Sequence, residues 1–301
     1  MAFLTHRPAL TMVEQALHTG PAASGRKTAE PFYEFNASKS RFAYAWSDLK
    51  QAFSRPKLIL TLIRNGFLSR YQGTLLGGLW ITITTSMTVA GLALLYGQIF
   101  SSPLQEYFPF VAIGIVVWGL ISSLINDGAS VFLAASVVFN QSPISKSIFA
   151  LRSIGIAAVA FLFKLIVVAV VLVAVGIRPS ATDILLSAAG LAIVFWTGFW
   201  FALGAGTIGA RFRDVGQLTS AIVTFAFFFT PVFWQPSRLG SYQFVVEYNP
   251  LFHFLNVIRG PLIGADGIAL SFAWAVGTSI AVTIGGMLIF GFFGRRLCYW
   301  T

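Results

Sequence analysis

Long apolar stretches alternate with shorter polar segments along most of this 301-residue chain. Six such stretches fall at about 78–100, 108–126, 152–177, 184–209, 218–234 and 269–293. Each has close to the ~20 residues that an α-helix needs to cross the ~30 Å hydrocarbon core of a bilayer. The pattern therefore predicts an all-α integral membrane protein with six transmembrane helices, which form one domain over residues 49–301.

A different pattern precedes the first apolar stretch. Between residues 57 and 71 apolar side chains recur at helical spacing beside Lys57, Arg64 and Arg70, directly after Pro56. This pattern predicts a basic amphipathic helix that lies in the inner membrane interface. Residues 1–48 are polar, mixed in charge and interrupted by Pro and Gly, which predicts a flexible cytosolic extension.

The connections between the apolar stretches differ in length and composition. The segment 127–151 is half apolar and predicts a short helix pair along the cytosolic face. The segment 235–268 is the longest and is broken by Pro and Gly, yet it remains rather apolar. We expect broken helices there, re-entrant or interfacial, whose free backbone groups are satisfied by protein or water.

Composition and charge support a membrane protein and orient it. The chain is 56% hydrophobic and 10% charged, against about 45–50% and about 25% for soluble domains. Sixteen of the 20 Lys and Arg residues fall on one side of the six-helix arrangement, three (Arg178, Arg238, Arg259) on the other and Lys164 inside a stretch. Because basic residues stay cytoplasmic, both termini are predicted inside, and the net charge of +10 faces anionic lipid rather than nucleic acid.

The residues that usually carry chemistry are few. Three His and ten carboxylates are scattered, with no cluster of metal-ligand spacing, so we predict no catalytic residue and no metal site. Residues 20–28 are similar to a phosphate-binding loop with one residue too many, but no strand precedes them and Pro31 follows closely. We therefore expect the chain to bind no cofactor of its own.

Lys164 lies near the middle of the third stretch. An ammonium there is costly, so it faces either the bundle interior or a dimer seam, or its long stem reaches toward the interface. The sequence leaves both options open.

Four spaced motifs carry a family resemblance. They are Arg70-Tyr71-Gln72-Gly73 running to Gly78-Leu79-Trp80, then Gly209 to Asp214, Phe229 to Trp234, and Asn249 to His253. In this order they resemble type 2 ABC exporter permeases, above all the membrane subunits that export O-antigen, capsule and related lipid-linked polysaccharides. The resemblance implies a bacterial inner-membrane homodimer that works with two separate ATPase subunits, which bind ATP and Mg²⁺.

The resemblance also implies roles for individual residues. Arg64, Arg70, Tyr71 and Trp80 would admit a lipid-diphosphate head group from the side. Five residues of the inner connection would contact the ATPase, so that its closure moves the spans: Asn140, Gln141, Ser142, Pro143 and Lys146. Trp234, Tyr242, Asn249 and His253 would shape the exit for the glycan.

Two alternatives stay open at this point. An ion-coupled secondary carrier is the first, although such carriers usually show internal repeats and acidic residues inside spans. The second is a membrane-embedded glycosyl- or acyltransferase, which acts on a lipid-linked sugar with Glu247 or His253 as the base.

Overall fold

The computed structural model describes residues 41–100, 103–136, 144–236, 240 and 242–300, and helices dominate this part of the chain. In chain order they are α1 (Arg41–Phe53), α2 (Pro56–Arg70), α3 (Leu79–Ile99), α4 (Leu104–Ala129), α5 (Val131–Ala134), α6 (Ser147–Val175), α7 (Ala181–Arg211), α8 (Val215–Phe229), α9 (Phe244–Glu247), α10 (Pro250–Ile263), α11 (Ile268–Phe293) and α12 (Leu297–Trp300). A short 3₁₀ turn, Gly294–Arg296, separates the last two.

Five of the described helices are long and apolar enough to cross a membrane, namely α3, α4, α6, α7 and α11. They correspond to five of the six predicted stretches, and the largest difference at any end is the start of α6 at Ser147 against the predicted 152. The all-α membrane class is thus confirmed. The sixth predicted stretch corresponds to α8, which is apolar but has only 15 residues.

The prediction that this stretch is helical up to residue 234 is wrong. The helix α8 ends at Phe229, and Thr230 is extended with φ −99° and ψ 130°. Pro231 is the cause, because it lacks an N–H and disfavours a helical conformation at the residue before it.

The N-terminal boundary also differs from the prediction. The helix α1 begins at Arg41, inside the segment assigned to the flexible extension, and buries Ala45, Asp48, Leu49 and Ala52. It packs against α6 and α11. Residues 41–48 therefore belong to the helical bundle, whereas residues 1–40, with the loop at 20–28, lie outside the described residues.

The helix α4 forms the centre of the bundle. It is buried along most of its length and packs against α3, α6, α7, α8 and α10. Elsewhere glycines allow helices to approach closely, as expected in membranes. A Cβ added to Gly286 of α11 would lie 2.3 Å from the carbonyl oxygen of Trp200 on α7, so these two helices meet backbone to backbone.

Side-chain contacts define the two ends of the bundle. At the end that we call the basic end, the contacts are Arg70 with Asp127, Lys146 with Gly294, and Arg211 with Trp300. At the opposite end they are Tyr107 with Phe233, Asn249 with Thr230, Ser187 with Ile258, and His253 with Ser271. The helix α8 follows Arg211 at the basic end and finishes at the opposite end.

Candidate functional site

A polar cavity of about 210 Å³ lies at the basic end, between α2, α4 and α6. We call it the basic pocket. Its polar lining comes from Ser69, Arg70, Asp127, Ser130, Arg152 and Ser153. The helix α2 reaches this position because Gly66 has no side chain: a Cβ there would stand 3.0 Å from Nε of Arg152 and 2.6 Å from Ile156.

The two arginines of the basic pocket differ in their partners. The Nη2 of Arg70 donates to Oδ2 of Asp127 at 3.3 Å, and both side chains are partly exposed. The Nε of Arg152 is buried and has no hydrogen-bond acceptor within the described part of the chain. Two guanidinium groups and one carboxylate leave a net positive charge, so the pocket suits a phosphate or carboxylate anion.

The other residues predicted to admit the head group do not line the basic pocket. Arg64 is exposed on α2, and Trp80 is 45% exposed at the start of α3. The ring of Tyr71 lies 5.1 Å from that of Phe67. Partial burial raises the pKa of the Tyr71 phenol, so this hydroxyl remains a proton donor at neutral pH. Of the four predicted residues, only Arg70 reaches the pocket.

The structure adds Asp127 and Arg152, which sequence reasoning did not assign. Asp127 is near the end of α4 and Arg152 is one turn and a half into α6. The only indication of these two residues in the sequence was that they are charged and lie near the ends of predicted spans, on the side that forms the basic end. The contact between α2 and α6, which brings Arg152 to Gly66, is a tertiary feature that periodicity does not contain.

A buried cap joins α1 to the start of α6. The carboxylate of Asp48 accepts hydrogen bonds from the backbone N–H groups of Lys146 (3.0 Å) and Ser147 (2.8 Å) and from the Ser147 hydroxyl (2.6 Å). Asp48 is 3% exposed. These bonds satisfy orphan donors at the N-terminus of a long helix and place a negative charge at its positive end.

Lys146 has a different environment from the one that its predicted ATPase contact requires. It is 6% exposed, and its Nζ donates to the carbonyl oxygen of Gly294 at 2.6 Å. Its side chain therefore links the start of α6 to the end of α11. The other residues predicted for coupling, Asn140, Gln141, Ser142 and Pro143, lie outside the described residues.

Two of the four predicted exit residues stabilise the break after α8. The amide of Asn249 donates to Oγ1 of Thr230 (3.0 Å) and to the carbonyl of Phe229 (3.3 Å), while its Oδ1 caps α10. The indole of Trp234 donates to the carbonyl of Phe228 at 3.2 Å. Tyr242 alone of the four is freely accessible, at 65% exposure.

A buried arginine completes this break. The Nη1 of Arg259 donates to the carbonyl of Pro231 at 2.9 Å, and the guanidinium lies 3.9 Å above the ring of Phe110. Arg259 is 2% exposed. It was counted among the three basic residues of the outer side, but it does not face the membrane surface.

His253 is held in place on both sides of its ring. It stacks on Trp274 with 5.3 Å between ring centres, its Nε2 lies 2.8 Å from the backbone oxygen of Glu247, and its Nδ1 is 3.3 Å from the Ser271 hydroxyl. Burial lowers the pKa of His253. Both ring nitrogens are thus occupied, and the Glu247 carboxylate is exposed elsewhere, so the pair does not form an acid–base site.

Lys164 packs inward. Its Nζ lies 2.6 Å from the point where a Cβ of Gly119 would stand on α4. The sequence left open whether Lys164 faces the bundle interior or a dimer seam, or reaches toward the interface. The structure places its ammonium against α4 inside the bundle.

Comparisons with known proteins agree with the geometry. The sequence profile of the ABC-2 type transporter family matches residues 57–263. Two O-antigen export system permease proteins RfbA from Klebsiella pneumoniae are 22% and 20% identical over 242 residues, covering 77% of this chain and 90% of each relative. One from Myxococcus xanthus is 21% identical over 247 residues, covering 75% and 92%. The family resemblance found in the motifs is confirmed.

Proposed function

Because the chain belongs to the ABC-2 type transporter family, we propose that it is the membrane-embedded permease subunit of an ATP-driven exporter of lipid-linked polysaccharide of the O-antigen type. The observation that carries this proposal is the extent of the match. The alignments cover 90% or more of relatives that are named as O-antigen export permeases, and five of the described helices are long and apolar enough to cross a membrane.

We propose that the chain crosses the bacterial inner membrane six times. The helix α8 would be the fifth crossing, since it starts beside Arg211 at the basic end and its last turn is held by Asn249 at the opposite end. The extended residues after it would complete the crossing, and α9 and α10 would lie at the outer interface. The basic end would face the cytosol with both termini, as the distribution of Lys and Arg requires.

The helix α2 would lie in the inner interface and admit the head group of the lipid carrier. Arg64 and Trp80 would meet the head group at the membrane surface, and Tyr71 and Arg70 would pass it to the basic pocket. Asp127 would then be the anion that the incoming phosphate replaces on Arg70. The exposure of this ion pair supports such an exchange, because an exposed pair is held weakly.

The partners would be a second copy of the chain and two ATPase subunits, which would bind ATP and Mg²⁺ in place of any cofactor on the permease. The helices α3 and α8 both pack on α4 and leave large apolar side chains uncovered, among them Met87 and Leu95 on α3 and Phe225 and Phe228 on α8. These faces would form the seam between two copies. Residues 140–143 would contact the ATPase, and the Asp48 cap and Lys146 would transmit its movement to α6 and α11.

At the exit, the side chains that hold the break after α8 would keep the outer rim fixed. Tyr242, Phe244, Tyr248 and Trp274 present accessible aromatic faces there, which would let sugar rings slide past. The geometry of His253 gives no support to a transferase.

Deletion and complementation would test this function. A strain that lacks the chain should accumulate the polysaccharide inside and lose it from the cell surface, as measured with a specific antibody or lectin. Restoring the chain should restore the surface signal only when an active ATPase subunit is present. Full surface display with an ATPase that cannot hydrolyse ATP would contradict the proposal.

A further inference from the structure

The environment of Lys164 identifies the side of α6 on which its charge lies. By helical spacing, Lys164 shares one face of α6 with four buried residues, Ala157, Phe161, Val168 and Val171. The outward side of α6 carries exposed Leu162, Ile166 and Val170 instead. The ammonium therefore points into the protein, although the helix passes through a bilayer.

The helix α4 makes room for this ammonium. Because residue 119 is glycine, the Nζ of Lys164 occupies the space that any larger residue would fill with its Cβ. Within the described part of the chain, no side chain or carbonyl forms a hydrogen bond or an ion pair with the ammonium. An unpaired ammonium at this depth of a membrane helix is expensive, so such a group is expected to meet a ligand.

Polar groups lie on α4 and α6 between the level of Lys164 and the basic pocket. On α4, Ser122 and Asn126 follow Gly119 at helical spacing toward the basic end, and Oδ1 of Asn126 is buried without a hydrogen-bond partner. On α6, Arg152 lies twelve residues before Lys164 (164 − 152), which is about 18 Å along the helix axis. Arg152 Nε likewise lacks an acceptor.

We propose that Lys164 is an intramembrane anion-binding residue, which receives the diphosphate of a lipid carrier after the basic pocket has bound it. This inference rests on the proposed function and adds to it a second position for the head group. Arg152 donates to phosphate oxygens in the basic pocket, and Lys164 does so at the deeper position. The Oδ1 of Asn126 accepts a hydrogen bond from a hydroxyl of the attached sugar.

Binding to the purified full chain in nanodiscs of zwitterionic lipid tests the proposal without requiring transport. We expect polyprenyl diphosphate to bind more tightly than the uncharged polyprenol. The variant Lys164→Leu should weaken diphosphate binding on the order of ten-fold or more, since it removes a charged hydrogen bond, and should leave polyprenol binding unchanged. Lys164→Arg should retain most of the preference.

A second variant keeps the charge and closes its space. Gly119→Ala should displace the ammonium and weaken diphosphate binding, whereas Gly285→Ala in α11, where an added Cβ meets nothing within 4 Å, should bind as the wild type does. The thermal midpoints of all variants report whether they are folded. Lys164→Leu is expected to fold, because it removes an unpaired charge from the interior.

Three results would overturn the proposal. The first is that folded Lys164→Leu binds polyprenyl diphosphate as tightly as the wild type does. The second is that Lys164→Leu loses the same fraction of its affinity for polyprenyl diphosphate and for polyprenol. The third is loss of the Lys164-dependent preference when phosphatidylglycerol is added to the nanodiscs, which would assign the site to a phospholipid phosphate. Failure of the proposed function would look different: Lys164-dependent binding would persist while ATP-driven export was absent.

Discussion

Replacing Asp48 with alanine would remove the buried cap that joins α1 to α6. Loss of an N-cap costs about 0.5–2 kcal/mol. Here two backbone donors, at Lys146 and Ser147, would also be left buried without an acceptor, and each such donor costs about 1–3 kcal/mol. Because these contributions overlap, we expect a loss of about 3–5 kcal/mol in the free energy of unfolding. For a chain of this size that corresponds to roughly 10 °C in Tm.

Thermal unfolding in detergent, followed by intrinsic fluorescence, measures this effect. Asp48→Asn keeps one acceptor oxygen and should lie between alanine and wild type. Asp183→Ala is the matched control, since Asp183 forms a capping box with Ser180 at the exposed start of α7; solvent can replace its bonds, so its shift should be clearly smaller. Equal shifts for Asp48→Ala and Asp183→Ala would refute the argument that burial makes this cap important.

Three further predictions concern packing, pH and the basic pocket. Gly286→Ala should lower Tm by several degrees, because its Cβ would meet the Trp200 carbonyl. Gly285→Ala is the control and should leave Tm unchanged, since an added Cβ there meets nothing within 4 Å. An unchanged Tm for Gly286→Ala would contradict the close approach of α7 and α11. Because burial lowers the pKa of His253, the unfolded chain binds a proton more readily than the folded one, so stability should fall as pH drops below about 6.5. In thermal melts recorded across pH, His253→Gln should make Tm less dependent on pH. An unchanged pH dependence of Tm would contradict the role given to His253. Arg70→Gln should change the free energy of unfolding by no more than about 1 kcal/mol, because its ion pair is exposed, whereas surface display of polysaccharide should fall. Unchanged display would exclude Arg70 from head-group access.

The apolar helices could be predicted closely because lipid imposes length and composition on them. The stretch predicted at 269–293 corresponds to Ile268–Phe293, and the basic amphipathic segment predicted at 57–71 corresponds to Pro56–Arg70. The helix α1 was missed because its stability comes from packing. Its buried side includes Asp48, an acidic residue whose carboxylate is satisfied only by the start of α6, nearly a hundred residues later.

The candidate site was predicted less completely for the same reason. Arg70 could be singled out as a basic residue beside a motif, but the other charged residues of the basic pocket, Asp127 and Arg152, come from two other helices. Arg152 reads from sequence as an ordinary charge near a span end, and only the absence of a side chain at Gly66 brings it to α2. Lys146 shows the reverse case: a lysine in a polar connection looks exposed in sequence, yet it is buried against Gly294.

Reconstitution with purified components tests the central claim most directly. The chain and its ATPase subunit would be placed in proteoliposomes with a lipid-linked polysaccharide bearing a label on the glycan, and the fraction of label that becomes accessible to an enzyme on the far side would be measured over time. We predict that this fraction rises with ATP and stays at background with a non-hydrolysable analogue, without the ATPase subunit or without the chain. Equal accessibility in the presence and absence of the chain, with ATP hydrolysis by the ATPase intact, would contradict the account.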